Sequence, residues 1–391
     1  MIERRCLDEM KELLEAFPAL VLTGPRQVGK TTLAKSISDM LGKPTHYLDL
    51  EKQEDNFLLS SNAASYLDKF KDHCVIIDEA QVLPSLFTAL RPIIDEYRIP
   101  GRFVLLGSAN LALVRGISET LAGRVIYMEI TQIDLLDATN AGISLEDHWF
   151  KGGFPEPLLA KNNRIWLAWT DSFMKSYIYR DINLLFGIDL TPATIDRIWH
   201  MLAHLNGSIE NAENLSRSLG ISSTTVKKYL NFLEGAYLIH RLPAFYINNG
   251  KRLVKSAKIY LRTSGVLHYM LKVKDYIALQ THPALGASWE GYVLEQLYTM
   301  RPDRTNWYHY RTHNGAEVDM VLIQGNTPIA CIEVKYTNAP VLSRGFYECV
   351  SDLKTIKNFV ITPSSKTWEM REGIVACSLA HFLKEELPLL G

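Results

Sequence analysis

Ala19–Thr32 reads ALVLTGPRQVGKTT, and this stretch decides the fold of the first part of the 391-residue chain. A short apolar strand leads into Gly24-x-x-x-x-Gly29-Lys30-Thr31, where a helix begins. Glycines let the backbone N–H groups of such a loop surround a phosphate, and the N-terminus of the following helix adds partial positive charge. The lysine of this pattern reaches the terminal phosphates, and the threonine hydroxyl ligates Mg²⁺. The stretch therefore predicts a nucleotide-binding loop.

An ordinary glycine-rich turn is the alternative for a pattern of this kind. We favour the nucleotide site because the strand before the loop and the helix after it are the context that phosphate binding requires. We expect nucleotide contacts from consecutive residues of the loop and the first helical turn, namely Gly24, Pro25, Arg26, Gln27, Val28, Gly29, Lys30, Thr31 and Thr32.

The composition is that of an ordinary folded protein, with 47% hydrophobic and 22% charged residues. The net charge is -1, so any contact with nucleic acid must come from a local basic patch. Five scattered cysteines without a Cys-x-x-Cys pair favour reduced thiols in a cytosol. The first residues are too charged for a signal peptide, and no apolar run reaches roughly 18 residues. We therefore expect a cytoplasmic protein without a membrane partner.

Strands alternate with helical stretches over the first 130 residues or so. Alternation of this kind predicts a parallel sheet that helices cover on both faces. After the strand that precedes the phosphate loop, we predict strands at Thr45–Leu50, His73–Asp78, Arg102–Ser108 and Val125–Ile130.

The third predicted strand ends in Asp78-Glu79-Ala80-Gln81. Two carboxylates at the tip of an apolar strand suit the hydrolysis of a Mg²⁺-bound nucleotide. We expect Asp78 to hold the metal, directly or through water, and Glu79 to polarise the attacking water. A pair of solvated acids at the end of a strand is the alternative.

Polar and basic residues after the fourth predicted strand are candidates for completing the site. Ser108 or Asn110 could orient water near the γ-phosphate, or could simply cap a helix. Arg115 or Arg124 could stabilise transition-state charge in its own or a neighbouring subunit, and an ordinary surface arginine is the alternative for each. The predicted catalytic residues are Glu79, Lys30, Asn110 and Arg124.

Three motifs together, GPRQVGKTT, Asp78-Glu-Ala-Gln81 and Gly107-Ser-Ala-Asn110, resemble those of a large group of prokaryotic AAA-type ATPases. Gly152–Glu156 and Tyr179–Ile182 are similar to the junction motifs of that group, so the resemblance covers nearly the whole chain. It implies ATP and Mg²⁺ as cofactors and glutamate as the catalytic base. It also implies an extra strand between the phosphate-loop strand and the Asp78 strand. A homo-oligomer would let an arginine act on a neighbouring subunit.

A helix-turn-helix pattern follows an aromatic-rich helical segment. Its helices are predicted at Asn214–Leu219 and Ser223–Leu233, with Ser222 as the cap of the second helix. Tyr237–Arg241 and Lys258–Leu261 would then be the strands of a wing, with Asn248-Asn249-Gly250 at its tip.

Basic residues dominate the stretch from 221 to 262. Against a single acid, Glu234, it carries eight cations and thus a local charge of +7: Lys227, Lys228, Arg241, Lys251, Arg252, Lys255, Lys258 and Arg262. That is the footprint of a winged helix that binds DNA. A packing or protein-contact module is the alternative. Thr263 stands where the resembled group often has an aspartate, so no role is assigned to that position.

The last hundred residues or so contain a second set of carboxylates. Glu290 lies on a predicted helix, Asp319 at the start of a strand, and Glu333-x-Lys335 on the next strand, where alternation puts both side chains on one face. The order resembles the site of restriction-endonuclease-like nucleases. The resemblance implies that Glu290, Asp319 and Glu333 hold Mg²⁺ and that Lys335 positions water. Two charged strands with a surface salt bridge are the alternative, and cleavage is left open.

These patterns predict an α/β protein of the P-loop, AAA type with two further modules. The predicted divisions are an ATPase domain at 1–150, a helical junction at 151–207, a winged helix at 208–283 and an α+β restriction-endonuclease-like domain at 284–391. We expect an ATPase that acts on, or is regulated by, nucleic acid, with DNA as the first choice. The alternatives are a regulatory or protein-handling switch with docking domains, and a metal-dependent nuclease gated by nucleotide.

Overall fold

The computed structural model describes residues 2–107, 121–181, 190–247, 252–371 and 373–391. The chain forms two compact units. The first comprises residues 1–133 with the short stretch 235–237, and the second comprises 134–234 and 238–391. The predicted wing tip at 248–250 and Lys251 lie outside the described residues.

A five-stranded parallel sheet forms the centre of the first unit, which confirms the predicted sheet. Its strands, which lie in the order β2-β3-β4-β1-β5, are β1 (Ala19–Thr23), β2 (Thr45–Asp49), β3 (Cys74–Asp78), β4 (Phe103–Leu106) and β5 (Val125–Glu129). Every residue of β1, β3 and β4 is buried, as expected for parallel strands covered on both faces. β4 lies between β1 and β3, and this is the extra strand that the resemblance implied.

Helices connect these strands. They span Lys30–Lys35, Ile37–Leu41, Gln53–Asp68 and Ser85–Tyr97, and a further helix, Cys6–Ala16, precedes β1. Because all five strands run parallel, the ends of β1 and β3 meet at the same edge of the sheet. The phosphate loop and the Asp78-Glu79 pair therefore start from one edge.

The second unit begins with helices at Leu135–Asn140, Leu145–Lys151, Pro155–Leu158, Asn163–Phe173 and Pro192–His204, with a π-helical segment at Met174–Asp181. Trp149 packs against Trp289 with ring centroids 5.0 Å apart, and both side chains are fully buried. Residues 134–150, which the predicted ATPase domain includes, lie in the second compact unit. The division into four domains stays a prediction.

Two helices at Ala212–Leu219 and Ser223–Gly235 follow, joined across Gly220, whose φ is +69°. The Ser222 hydroxyl accepts a hydrogen bond from the Thr225 N–H at 3.0 Å, so Ser222 has the capping role expected of it. A small antiparallel sheet in the order β6-β8-β7 adjoins them, built from β6 (Ser208–Ile209), β7 (Ile239–Leu242) and β8 (Lys258–Leu261).

The remainder forms a six-stranded mixed sheet in the order β13-β14-β12-β11-β10-β9. Its strands are β9 (Thr305–Arg311), β10 (Glu317–Gln324), β11 (Thr327–Val334), β12 (Lys357–Thr362), β13 (Trp368–Arg371) and β14 (Ile374–Ser378). The helices Ser264–Met270, Tyr276–Gln280 and Leu285–Thr299 precede it. The helix Arg344–Leu353 links β11 to its parallel neighbour β12, and short helical turns at Leu379–His381, Phe382–Glu386 and Leu387–Leu390 end the chain.

A helix that crosses a membrane must be long and apolar. None of the helices in the described part of the chain is long and apolar enough to cross a membrane.

Candidate nucleotide site and C-terminal carboxylate pocket

The phosphate loop adopts a backbone that only glycine can provide at one position. Gly24 has a φ of +137°, and a Cβ built there would lie 2.2 Å from the backbone oxygen of Ile130. Gly29, just before the helix, has a φ of +98°, which also favours glycine. The two glycines of the motif therefore set the close turn of the loop against the end of β5.

Lys30 is buried at the start of its helix, and its ammonium group is held inside the loop. It donates hydrogen bonds to the carbonyl oxygens of Gly24 and Pro25, at 2.9 and 2.7 Å. Burial lowers the pKa of Lys30 to about 8, although the nearby carboxylates of Glu79 and Asp78 oppose the shift. Phosphate oxygens could take over the place of the two carbonyls as acceptors.

Asp78 is the meeting point of three elements. Its Oδ2 atom accepts hydrogen bonds from the Thr31 hydroxyl at 2.7 Å and from the Tyr47 phenol at 2.7 Å. Its other oxygen accepts the backbone N–H of Glu79 at 2.9 Å. The Thr31 hydroxyl and the Asp78 carboxylate are hard oxygen donors side by side, so this pair fits Mg²⁺.

Glu79 follows directly in a left-handed backbone conformation with a φ of +50°. Its carboxylate accepts a hydrogen bond from the Gln81 side-chain amide. Burial raises the pKa of Glu79, while the Gln81 amide and the Lys30 ammonium counteract this. A raised pKa makes a carboxylate a stronger base, which suits a group that must polarise water.

Of the four residues predicted to complete the site, only Arg124 is among the residues that the structure describes. Ser108, Asn110 and Arg115 lie outside the described residues. Arg124 precedes β5, whose first residue pairs with the first residue of β1. It therefore lies at the edge of the sheet opposite the phosphate loop, about 16 Å away for a five-residue strand. Arg124 forms a two-pronged ion pair with Asp95, with both nitrogen–oxygen distances 2.7 Å. This position does not fit a role in its own subunit, and a role in a neighbouring subunit stays a prediction.

Tyr47 also contacts Asp78, and it was not among the residues predicted from the sequence. It lies on β2, two residues before the end of the strand, and β2 pairs in register with β3. The only signal for this contact in the sequence was a polar side chain near the end of the strand that lies beside β3. Burial and the Asp78 carboxylate raise the pKa of the Tyr47 phenol, so it remains a hydrogen-bond donor at neutral pH.

We expect Tyr47→Phe to lower ATP turnover several-fold while the fold stays intact, because Asp78 loses one of the two donors that orient its Oδ2 atom. The loss of such a bond is worth roughly 1 kcal/mol, or about fivefold. Turnover measured against Mg²⁺ concentration checks this, since a positioning role should raise the Mg²⁺ concentration for half-maximal rate. Tyr66→Phe, whose phenol contacts His46 instead, is the matched control. An unchanged Mg²⁺ dependence would contradict the assignment.

The second set of predicted residues also comes together. Glu290 projects from the helix Leu285–Thr299, Asp319 lies on β10, and Glu333 lies on β11 with Lys335 just after it. All four line one cavity of about 830 Å³. The Lys335 ammonium donates to Glu333 at 2.7 Å, and the Asp319 Oδ2 atom accepts the Val334 N–H at 3.0 Å.

A residue of the basic segment, Lys258, enters the same cavity and is 3% exposed. Its Nζ atom lies 3.0 Å from a Glu290 oxygen, 2.7 Å from a Glu317 oxygen and 3.5 Å from an Asp319 oxygen. The Tyr260 phenol also donates to Glu290. Burial opposes the charge of Lys258, but the three carboxylates outweigh burial and raise its pKa.

The carboxylates themselves crowd one another. Burial, reinforced by the nearby Asp319 carboxylate, raises the pKa of Glu290 to about 7 and that of Glu333 to about 8. Within the described residues, no group of three or more histidine, cysteine or acidic side chains is arranged to hold a metal ion. The arrangement of Glu290, Asp319 and Glu333 does not favour Mg²⁺ in this structure, because a lysine ammonium group takes up one oxygen of each of the three carboxylates.

The charge count over the basic segment also needs correction. Arg241 pairs with Glu210 at 2.7 Å, and the buried Arg262 pairs with Glu295 at 3.0 Å. With Lys258, three of the eight cations are thus engaged in ion pairs. Four others are exposed, namely Lys227, Lys228, Arg252 and Lys255. The surface available to nucleic acid is less basic than a count along the chain implied.

Three family models match parts of the chain. Residues 16–137 match a model described as an AAA domain. Residues 143–276 match a domain of unknown function, DUF8612, and residues 285–382 match a second, DUF4143. Neither of these two descriptions names a winged helix or a nuclease.

The chain has a distant likeness to several solved structures. The Walker-type ATPase PABY2304 of Pyrococcus abyssi is 15% identical with a TM-score of 0.45, and the match covers 69% of this chain and 96% of that one. The RuvB Holliday junction branch migration motor of Thermotoga maritima is 20% identical with a TM-score of 0.32, over 62% of this chain and 90% of that one. Likeness at this level carries no argument about activity.

Whole-chain similarity is much stronger. The uncharacterized proteins Rv2008c of Mycobacterium tuberculosis and Mb2031c of Mycobacterium bovis are each 36% identical to the chain over 382 residues. Each match covers 96% of the chain and 83% of the relative. The chain therefore belongs to the family of these two mycobacterial proteins, and its first part is an AAA-type ATPase domain.

Proposed function

We propose that this protein binds ATP with Mg²⁺ at the loop after β1, hydrolyses it, and couples hydrolysis to nucleic acid, with DNA as the first choice. The observation that carries the first part is the convergence of Lys30, Thr31, Asp78 and Glu79 at one edge of a parallel sheet, within an AAA domain. Backbone N–H groups, a lysine, a hydroxyl and two acids are what phosphoryl transfer to water needs.

Each residue has a distinct part in this proposal. Lys30 exchanges the loop carbonyls for phosphate oxygens and holds the terminal phosphates. Thr31 and Asp78 would hold Mg²⁺, which supplies charge neutralisation at the phosphates when bound. Tyr47 keeps the Asp78 carboxylate oriented. The hydrogen bond from the Gln81 amide to Glu79 must first break. The buried Glu79 carboxylate can then accept a hydrogen bond from the attacking water.

The proposal for nucleic acid rests on the arrangement around residues 208–262. Two helices at a turn, with one short strand of a small antiparallel sheet before them and two strands after them, are consistent with a winged helix. Lys255 lies over the ring of the exposed Tyr246, with the ammonium 4.9 Å from the ring centroid. An aromatic ring beside exposed cations is suited to a backbone phosphate and a base at once.

We expect the double change Arg252→Ala, Lys255→Ala to weaken DNA binding alike for all sequences. The slope of log K against log salt should become shallower by about 0.9 for each phosphate that the altered protein no longer neutralises. Fluorescence anisotropy with labelled duplexes, measured over a range of salt concentrations, checks this. Lys272→Ala, Lys274→Ala removes the same charge outside the segment and should change neither quantity.

ATP turnover with duplex DNA, single-stranded DNA and RNA tests the proposal as a whole. Stimulation by one of them, absent in the Arg252→Ala, Lys255→Ala protein, would support it. Unchanged turnover together with no binding at low salt would favour the second candidate function, a regulatory or protein-handling switch. The ion pairs of Arg241, Lys258 and Arg262 favour that candidate, because cations that pair with acids of the protein are less available to phosphates. A nuclease gated by nucleotide is the third candidate, and the occupancy of the pocket by Lys258 opposes it.

A further inference from the structure

The carboxylate pocket in the second unit contains a cation already, and that cation is part of the chain. Lys258 brings one ammonium group within 3.5 Å of oxygens from Glu290, Glu317 and Asp319. A positive centre among three carboxylates is the arrangement that a divalent ion would otherwise produce. Three acids of the pocket thus share a positive charge without a metal.

Each of the three predicted metal ligands has at least one oxygen engaged by a donor, whereas the Glu333 Oε2 atom is buried without a hydrogen-bond partner among the described residues. Glu290 receives the Tyr260 phenol as well as Lys258, through the same Oε1 atom. Asp319 gives its Oδ1 atom to Lys258 and its Oδ2 atom to the Val334 N–H. Glu333 gives one oxygen to Lys335. A divalent ion that used the engaged oxygens would have to displace these donors, and it would lie beside a buried ammonium group of like charge, which is unfavourable.

The same interactions join two sheets. Lys258 is the first residue of β8, in the three-stranded sheet that adjoins the helix-turn-helix pair. Glu317 and Asp319 lie on β10 in the six-stranded sheet, and Glu290 lies on the helix Leu285–Thr299. The pairs formed by Lys258 are therefore a fixed link between these elements of the second unit.

We propose that Lys258 stands in the place of the divalent ion, so that this pocket is a network of ion pairs between the two sheets and not a metal centre. The network connects the small sheet beside the helix-turn-helix pair to the C-terminal sheet. It also makes the pocket incompetent for metal-dependent cleavage. The inference is independent of ATP hydrolysis at the other site.

Manganese binding to the full chain tests the proposal. All proteins carry Asp78→Asn, which removes the carboxylate of the nucleotide site, and no nucleotide is added. Bound Mn²⁺ is counted by electron paramagnetic resonance, and thermal melting is followed with and without Mn²⁺. The protein that retains Lys258 should bind Mn²⁺ no better than one that also carries Asp319→Asn.

Removing the lysine should open the pocket to the ion. Lys258→Met should melt at a lower temperature without Mn²⁺, bind one Mn²⁺ at least roughly tenfold more tightly than its parent, and regain melting temperature when the ion is present. Adding Asp319→Asn should abolish this binding. Lys255→Met, the same change at an exposed position three residues earlier, should behave as the parent.

Two results would overturn the proposal. One is Mn²⁺ binding to the protein that retains Lys258, if Asp319→Asn removes it. The other is a folded Lys258→Met protein that binds no more Mn²⁺ than its parent. If Lys258→Met does not fold, the comparison between the parent and Asp319→Asn still decides, because it keeps the lysine in place. None of these readouts involves ATP turnover, so failure here is distinct from failure of the ATPase proposal.

Discussion

Glu79→Gln should abolish ATP turnover while ATP binding stays nearly intact. Glutamine keeps the size and the hydrogen-bonding capacity of the side chain but cannot accept a proton from water. The loss of a general base lowers the rate by roughly 10²–10⁴-fold. The binding groups, Lys30, Thr31 and the loop N–H groups, are unchanged, so the dissociation constant should move by less than about twofold.

The measurement is a phosphate-release assay together with equilibrium binding of a fluorescent ATP analogue. Glu54→Gln makes the same chemical change at an exposed position on the helix Gln53–Asp68 and should turn over normally. If Glu79→Gln hydrolysed ATP at the rate of the unaltered protein, Glu79 would not be the base. If it lost binding instead, the residue would be structural.

Lys30→Ala should mainly weaken ATP binding. The change removes the ammonium group that lies among the carbonyl oxygens of the loop, and among the described residues of the loop no other cation is buried there. A lost hydrogen bond from a charged group costs about 1.5–3 kcal/mol, so the affinity for ATP should fall by about 10- to 150-fold. Turnover at saturating ATP should fall as well, since the lysine also reaches the phosphates in the transition state. Calorimetric titration with a non-hydrolysable ATP analogue checks the binding effect.

The lowered pKa of Lys30 gives this prediction a pH dependence with a definite sign. Below about pH 8 the lysine is charged before ATP arrives. Above that value the free site has lost the proton, and binding must take one up because phosphate favours the ammonium form. Affinity should therefore fall as pH rises above 8, by up to about tenfold per unit. Lys30→Arg stays charged throughout and should show a flat profile from pH 7 to 10, whatever its affinity. The same slope in Lys30→Arg would contradict the assignment to Lys30.

The parallel sheet and the grouping at its edge were accessible from sequence for a physical reason. Lys30 and Thr31 are set by a contiguous motif, and Asp78 reaches them because parallel strands end at a common edge. Local patterning and one rule of sheet geometry were enough. Ser222 as a helix cap is local in the same sense.

The roles of the basic residues were not accessible in this way. Lys258 meets Glu290 and Asp319, which lie 32 and 61 residues further along the chain. Arg262 meets Glu295 in a buried pair. A charge count along the sequence records how many cations a segment has, but it does not say which of them the fold pairs with distant acids. The same limit explains why Tyr47 was missed, because its partner is on a neighbouring strand.

The division of the chain has an optical consequence. All seven tryptophans, including the packed pair Trp149 and Trp289, lie in the second unit, and residues 1–133 contain none. Intrinsic tryptophan emission therefore reports on the second unit alone. The nucleotide loop belongs to the first unit, which contributes no tryptophan emission. A change of emission when ATP is added would be a label-free signal that the second unit responds to an event in the first.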